Sequence, residues 1–172
     1  MRACCWCALV GLAASATVVP MPGSIDAKAC MGTWYVQRQK PALALLESGA
    51  ANGCEVYTWD KDAQDCFAVS YTFTGKNGKE STIRQRGWVN SPEGTSWVVA
   101  PMIGSIVPPV RLPFIIMDVA PSSHMLCTGG LSSWMYLLTR EKTPDPVLVD
   151  ELMVKVEAAG FDMDKVEVMV QN

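Results

Sequence analysis

Gly32-Thr33-Trp34-Tyr35 and Trp134-Met135-Tyr136-Leu137-Leu138-Thr139-Arg140 are the two stretches whose reading decides the fold. Both are rich in the aromatic and branched residues that favour strands. A Trp on a first strand and an Arg ending a last strand can stack, cation on indole face, when the two strands lie side by side. About a hundred residues separate the two segments. Contact between them would therefore seal one end of a closed antiparallel sheet.

The chain between them reads as a meander. A first strand spans about 33–39. A connection follows from Pro41 to Asn52, with Leu43, Leu45 and Leu46 in it, and a second strand runs from Gly53-Cys54 to Trp59. The polar run from Asp60 to Asp65 is a turn. The third strand has the cleanest alternation, with Phe67, Val69, Tyr71 and Phe73 on one face and Ala68, Ser70, Thr72 and Thr74 on the other. Lys76-Asn77-Gly78-Lys79 is a strong hairpin turn. Further strands are expected at about 81–89, 95–101, 113–119, 124–128 and 133–139. Eight short strands with short connections predict an all-β, eight-stranded up-and-down barrel. Asp145 and Pro146 then open a helix, in which Val147, Leu148, Leu152, Val156 and Ala159 form a stripe for the barrel wall. Gly160 stops it, and Val166, Val168 and Val170 make a short last strand.

The 172 residues suffice for one domain with a real core. A net charge of −3 gives no basic field for nucleic acid. The apolar run Ala3 to Ala14, ending in Ala14-Ser15-Ala16, reads as a signal peptide over residues 1–16, followed by a linker over 17–29. The run is too short to span a bilayer. The expected location is secreted or an organelle lumen, a thylakoid lumen included. Cys4, Cys5 and Cys7 fall inside the leader. Cys30, Cys54, Cys66 and Cys127 remain as disulfide candidates, and four cysteines allow three pairings.

Gly32, Trp34 and Arg140, taken with Gly53-Cys54 and Trp59, the run Leu112 to Asp118, Thr143-Pro144 before the helix, and the tail Ala159-Gly160-Phe161-Asp162 with Gln171, resemble the lipocalins. The likeness is to the branch of apolipoprotein D, bacterial lipocalins and plant temperature-induced lipocalins. It covers about 29–171, so that 30–172 is read as a lipocalin domain. The chain departs from that branch in carrying His124 where a Tyr is usual, and in lacking a lipobox before Cys30. The family's second bridge, from the N-terminal segment to the seventh and eighth strands, implies a Cys30–Cys127 pairing. Cys54 and Cys66 are then a bridge or two thiols. The helix on the outside of the barrel and the short last strand agree with the same family.

A barrel of eight strands encloses room for one small ligand. With Trp34 and Arg140 at the base, Trp134, Tyr136 and Leu138 share the inner face of their strand, and Phe67, Val69, Tyr71 and Phe73 that of theirs. On the sixth strand either Phe114 and Ile116 or Ile115 and Met117 face inward; spacing leaves both open, and Phe114 and Ile116 stand among the ligand-binding candidates. An aromatic pocket with a few Tyr hydroxyls suits a small hydrophobic molecule such as a fatty acid, lysophospholipid, sterol or carotenoid. The first connection (Leu45, Leu46) and the fifth (Met102, Ile103, Ile106, Val107) gather at one end. Two apolar loops there either fold over the mouth as a lid and bury each other, or mark a membrane surface or a membrane protein complex as a partner. The chain could on that ground be an accessory subunit of such a complex.

Nothing catalytic stands out. The single His, His124, sits in a strand, and Asp118 reads as a turn residue ahead of Pro121-Ser122-Ser123. There is no Gly-x-Ser-x-Gly elbow, no His-Glu-x-x-His and no glycine-rich phosphate loop. Asp60, Asp62 and Asp65 lack the Gly and distal Glu of a calcium loop. Violaxanthin de-epoxidase and prostaglandin D synthase are lipocalin-fold enzymes, but the first has a Cys-rich domain that this chain lacks and the second needs an activated cavity Cys. The expectation is a non-enzymatic protein with no metal and no cofactor.

Overall fold

The computed structural model describes residues 18–130 and 133–172. The expected leader, with Cys4, Cys5 and Cys7, lies outside the described residues. A 3₁₀ turn over Ala27–Cys30 leads into β1 (Gly32–Lys40), followed by α1 (Ala44–Glu47), β2 (Ala51–Trp59), β3 (Cys66–Thr74), β4 (Glu80–Val89), β5 (Ser96–Pro101), β6 (Leu112–Ala120), β7 (His124–Thr128), β8 (Met135–Thr139), α2 (Pro146–Ala158) and β9 (Glu167–Val168). Consecutive strands from β1 to β8 pair antiparallel, and β8 returns to β1. The sheet therefore closes into the expected eight-stranded barrel. The expected element boundaries are met to within two residues.

β1 serves both neighbours by dividing its length. Gly32 to Tyr35 pair with β2, Tyr35 to Lys40 pair with β8, and the register shifts between Val36 and Arg38. Such a bulge lets one strand bend from one partner to the next. β9 adds to β1 at Arg38 and Gln39.

The base is closed by the contact foreseen from the two terminal segments. The Arg140 guanidinium carbon lies 3.6 Å from the centre of the Trp34 ring. Its nitrogens donate to Pro121 O at 2.9 Å, Thr33 O at 2.8 Å, Met31 O at 2.8 Å and Ala29 O at 3.3 Å. Trp34 Nε1 donates to Cys30 O at 2.8 Å. Gly32 sits at φ 102°, and a Cβ there would stand 3.2 Å from Arg140 Nη1. Glycine meets both the backbone angle and the close approach. The segment before the 3₁₀ turn is hydrogen-bonded to the barrel. Met21 N donates to Ile116 O and Ile25 N to Glu93 O.

Alternation divides the side chains between an inner cluster and an outer one. On β6 it settles the open choice: Phe114 and Ile116 point in, while Ile115 and Met117 point out to α2. Val149, Leu152 and Val156 of α2 cover Leu126, Met135 and Leu137. Val147, expected in that stripe, is exposed instead. At about 100° per residue it falls on the far side of the helix from Leu152 and Val156, and Val149 takes its place.

Two further expectations are corrected. Asp118 is within β6, not a turn; its carboxylate accepts from Lys155 of α2 and lies 3.1 Å from His124 Nε2, tying helix to wall. The four cysteines are free thiols. Cys54 stands opposite Thr72, six residues from Cys66 along β3, roughly 20 Å at about 3.3 Å per residue. A disulfide needs Cα atoms within about 7 Å. Cys127 is level with Tyr136 and through it with Gln39, near the far end of β1, whereas Cys30 precedes that strand. Burial pushes the Cys30 thiol up to about 11, outweighing the nearby Arg140, and pushes Cys127 well above its ordinary value. Both are held as thiols, Cys30 against Asp26 O and Cys127 against Tyr136 O.

Candidate functional site

The barrel interior has a solid lower half and a hollow upper half. In the lower half Trp97 stacks on Phe114 with ring centres 5.2 Å apart and meets the edge of Phe67 at 4.9 Å. Phe67 fits because its partner across the ladder is Gly87; a Cβ there would lie 2.3 Å from the ring. Above this plug is a cavity of about 330 Å³. Tyr57, Tyr71, Ile83, Val99, Phe114, Trp134 and Tyr136 supply its apolar wall, and Ala42, Leu43 and Glu47 stand over it.

Of the nine ligand-binding candidates, Tyr71, Phe114, Trp134 and Tyr136 line this cavity. Phe67, Val69, Phe73, Ile116 and Leu138 are buried in the inner cluster but do not line it. For Phe67, Ile116 and Leu138 the reason is depth: alternation assigns a face, whereas Trp34 and Trp97 pack the base. Phe73 is at the opposite end of β3, beyond Tyr71 and level with Ser81. No reading of the sequence picked out Glu47, Glu55, Tyr57 or Gln85, all of which line the cavity. For Glu55 and Tyr57 the signal was present, since both share the inward parity of β2 with Trp59. For Glu47 there was none, because α1 has four residues and no periodicity to read.

Glu47 is 2 % exposed although it lies in a loop full of exposed leucines. Its carboxylate accepts from Leu43 N at 3.3 Å and from the Tyr136 hydroxyl. Tyr136 in turn accepts from Ala42 N at 3.3 Å. Gln39 Nε2 donates to Glu47 O at 2.9 Å, and the Tyr71 hydroxyl donates to Gln39 Oε1 at 3.3 Å. This chain of bonds fastens α1 across the cavity. Glu167 of β9 fastens it from outside, accepting from Ser48 Oγ and from Gly49 N at 2.6 Å.

Glu55 lies deeper and accepts from the Tyr57 hydroxyl. Burial is the main cause that raises its carboxyl from 4.5 to about 7; the Tyr57 bond opposes this and the charge of Glu47 adds to it. Burial likewise raises Glu47, against the lowering effect of its hydrogen bonds. Among the described residues that line the cavity, none is Lys, Arg or His. No group of three or more His, Cys, Asp or Glu among the described residues could hold a metal.

Around the mouth the apolar loops stay in the open. Leu45 is fully exposed, Leu43 and Leu46 are exposed, and Ile103 and Ile106 are 72 % and 67 % exposed. Met102 and Val107 are half-buried. Ile103 and Ile106 exchange backbone hydrogen bonds at 3.0 Å, so that a tight turn presents both side chains outward. Arg111 is turned away from them, its guanidinium 3.9 Å from the centre of the Trp88 ring.

The same barrel occurs in solved structures. Apocrustacyanin C1 superposes with a TM-score of 0.64 at 12 % identity, over 91 % of this chain and 92 % of its own. Lobster apocrustacyanin A1 gives 0.63 at 12 % identity, over 91 % and 92 %. The cockroach allergen Per a 4 gives 0.63 at 13 % identity, over 90 % and 94 %. No sequence among curated proteins matches this one. The family model described as a lipocalin-like domain matches residues 25–171. With the barrel, its Trp34–Arg140 closure and the cavity above it all in place, the chain belongs to the lipocalin family.

Proposed function

We propose that this protein binds a small hydrophobic molecule inside the barrel and carries it without chemically changing it. The observation that carries the reading is the hollow upper half, aromatic-walled and about 330 Å³, at the lower end of the range for small-molecule sites. Burial of apolar ligand surface there is worth roughly 25 cal/mol per Å², so a wholly lipophilic guest can reach micromolar affinity after the cost of association. The volume favours a compact guest or a single chain over a bulky one. The high thiol pKa of Cys127 removes the support for an activated cavity nucleophile. The apolar N-terminal run supports export to the extracellular space or an organelle lumen.

Native mass spectrometry of the purified protein, followed by organic extraction, is expected to reveal a bound lipophile. Adding that molecule to stripped protein should quench tryptophan fluorescence, and Trp134→Phe should remove most of the change. Protein that is empty as purified and silent to every lipophile offered would end this reading.

A second reading is favoured by the mouth, where Leu45, Ile103 and Ile106 are exposed side by side with the cavity entrance. These loops dock on a membrane or a membrane protein, either to pass ligand without crossing water or to hold the barrel as an accessory subunit. Ile103→Asp combined with Val107→Asp is expected to reduce sedimentation with phospholipid vesicles at least tenfold while leaving the circular dichroism spectrum unchanged. Equal sedimentation would leave the loops without that role.

A further inference from the structure

We propose that the cavity selects a lipophilic amine, a protonated nitrogen on an apolar body, and rejects the corresponding carboxylate. The inference rests on the proposed binding function and names the chemical class of the guest.

Three observations converge on it. Glu55 and Glu47 both line the chamber, and the lining residues include no cation to neutralise either. Glu55 lines the hollow and accepts from Tyr57 through one oxygen, and no donor to its other oxygen is among the described contacts. A guest that brings a positive charge supplies the missing partner; one that brings a negative charge adds a third like charge to an enclosed, apolar space. The second observation is the wall itself. Tyr71, Phe114, Trp134 and Tyr136 present rings to the cavity, and such faces attract a cation but not an anion. The third is position. Glu47 is locked by Leu43 N and Tyr136, so its charge is fixed at the entrance, whereas Glu55 lies deeper on β2. An amine therefore meets a carboxylate on entry and a second one inside, while its chain lies along the aromatic wall.

The alternatives are weaker on the same ground. A carboxylate guest has no Lys, Arg or His to receive it in the lining. An alcohol can donate one hydrogen bond to Glu55 but leaves both charges without a counter-ion.

The test uses three ligands of one chain length, decylamine, decanol and decanoate, titrated calorimetrically into the full chain at pH 8. Decylamine is expected to bind at least tenfold more tightly than decanoate, with decanol between them. Glu55→Gln should reduce the amine affinity at least tenfold and leave decanol within a factor of three. If decanol binds and decylamine is no tighter than decanoate, the charge selection is wrong while the binding function stands. If none of the three binds and none displaces an extracted lipophile, the binding function falls, and the selection with it.

Discussion

Arg140→Ala is expected to lower the free energy of unfolding by about 3 kcal/mol, a large share of the total for a domain of this size. The side chain is a single fork with many recipients. It stacks on Trp34 and donates to carbonyls at Ala29, Met31, Thr33 and Pro121. Those carbonyls belong to the chain entering β1 and to the turn before β7. Stacking contributes about 1 kcal/mol and charge-assisted hydrogen bonds about 1.5–3 kcal/mol each before the loss of additivity. Arg140→Lys keeps the charge but not the planar fork, and should recover less than half of the loss. Urea unfolding followed by tryptophan fluorescence measures both variants. A loss below about 1 kcal/mol for the Ala variant would show that the β1–β8 ladder alone holds the base.

The second large effect concerns pH. Glu55 titrates near 7 in the folded protein against 4.5 in the unfolded chain. Between those values the folded state holds the proton more tightly, so stability falls as pH rises through this window. The contribution is fully present below about pH 4.5 and lost once the pH passes 7. A rise of this size corresponds to about 3 kcal/mol. The groups facing Glu55 are Tyr57 on its own strand and Glu47 from α1, and the raised Glu47 works in the same direction. Asp118 and Glu167 are lowered, the first by Lys155 and His124 and the second by Ser48 and Gly49, despite opposing burial. They act oppositely, losing their stabilisation as pH falls below the ordinary carboxylate range. Unfolding by urea at pH 5 and pH 8 is therefore expected to show a less stable protein at pH 8. Glu55→Gln, which keeps the shape and cannot ionise, should raise stability at pH 8 by about 2–3 kcal/mol and flatten the slope between the two. An unchanged slope in the variant would place the titration elsewhere.

The fold was legible because its signals are local and redundant. The alternation in Phe67 to Thr74, the Asn77-Gly78 turn and the Asp145-Pro146 helix start each follow from short-range chemistry. The Trp34–Arg140 closure was legible as a pair at opposite ends of one sheet. The cavity was legible only as a face. Parity put Phe67, Ile116 and Leu138 inward, but which inward residues meet a hollow and which meet each other depends on how far the large rings Trp34 and Trp97 fill the base. That is a matter of volume in three dimensions, which no spacing records. Glu47 stayed hidden for another reason: a four-residue helix has no period, and its burial comes from Tyr136, 89 residues away. The Cys30–Cys127 pairing failed because it was carried over from the family's bridge, whereas here Cys127 is level with Gln39 near the far end of β1 and Cys30 precedes that strand.

The division of β1 between two neighbours has a consequence for how the molecule comes into being. The seam pairs Val36 with Leu138 and Lys40 with Met135, partners about a hundred positions apart. A growing chain leaving the ribosome thus presents seven hairpin-linked strands with a free border until the eighth emerges. Contacts so distant along the chain make for slow folding. In that interval the greasy side of Phe67, Val69 and Tyr71 lacks its final cover, and the interval ends only when Arg140 arrives to cap Trp34.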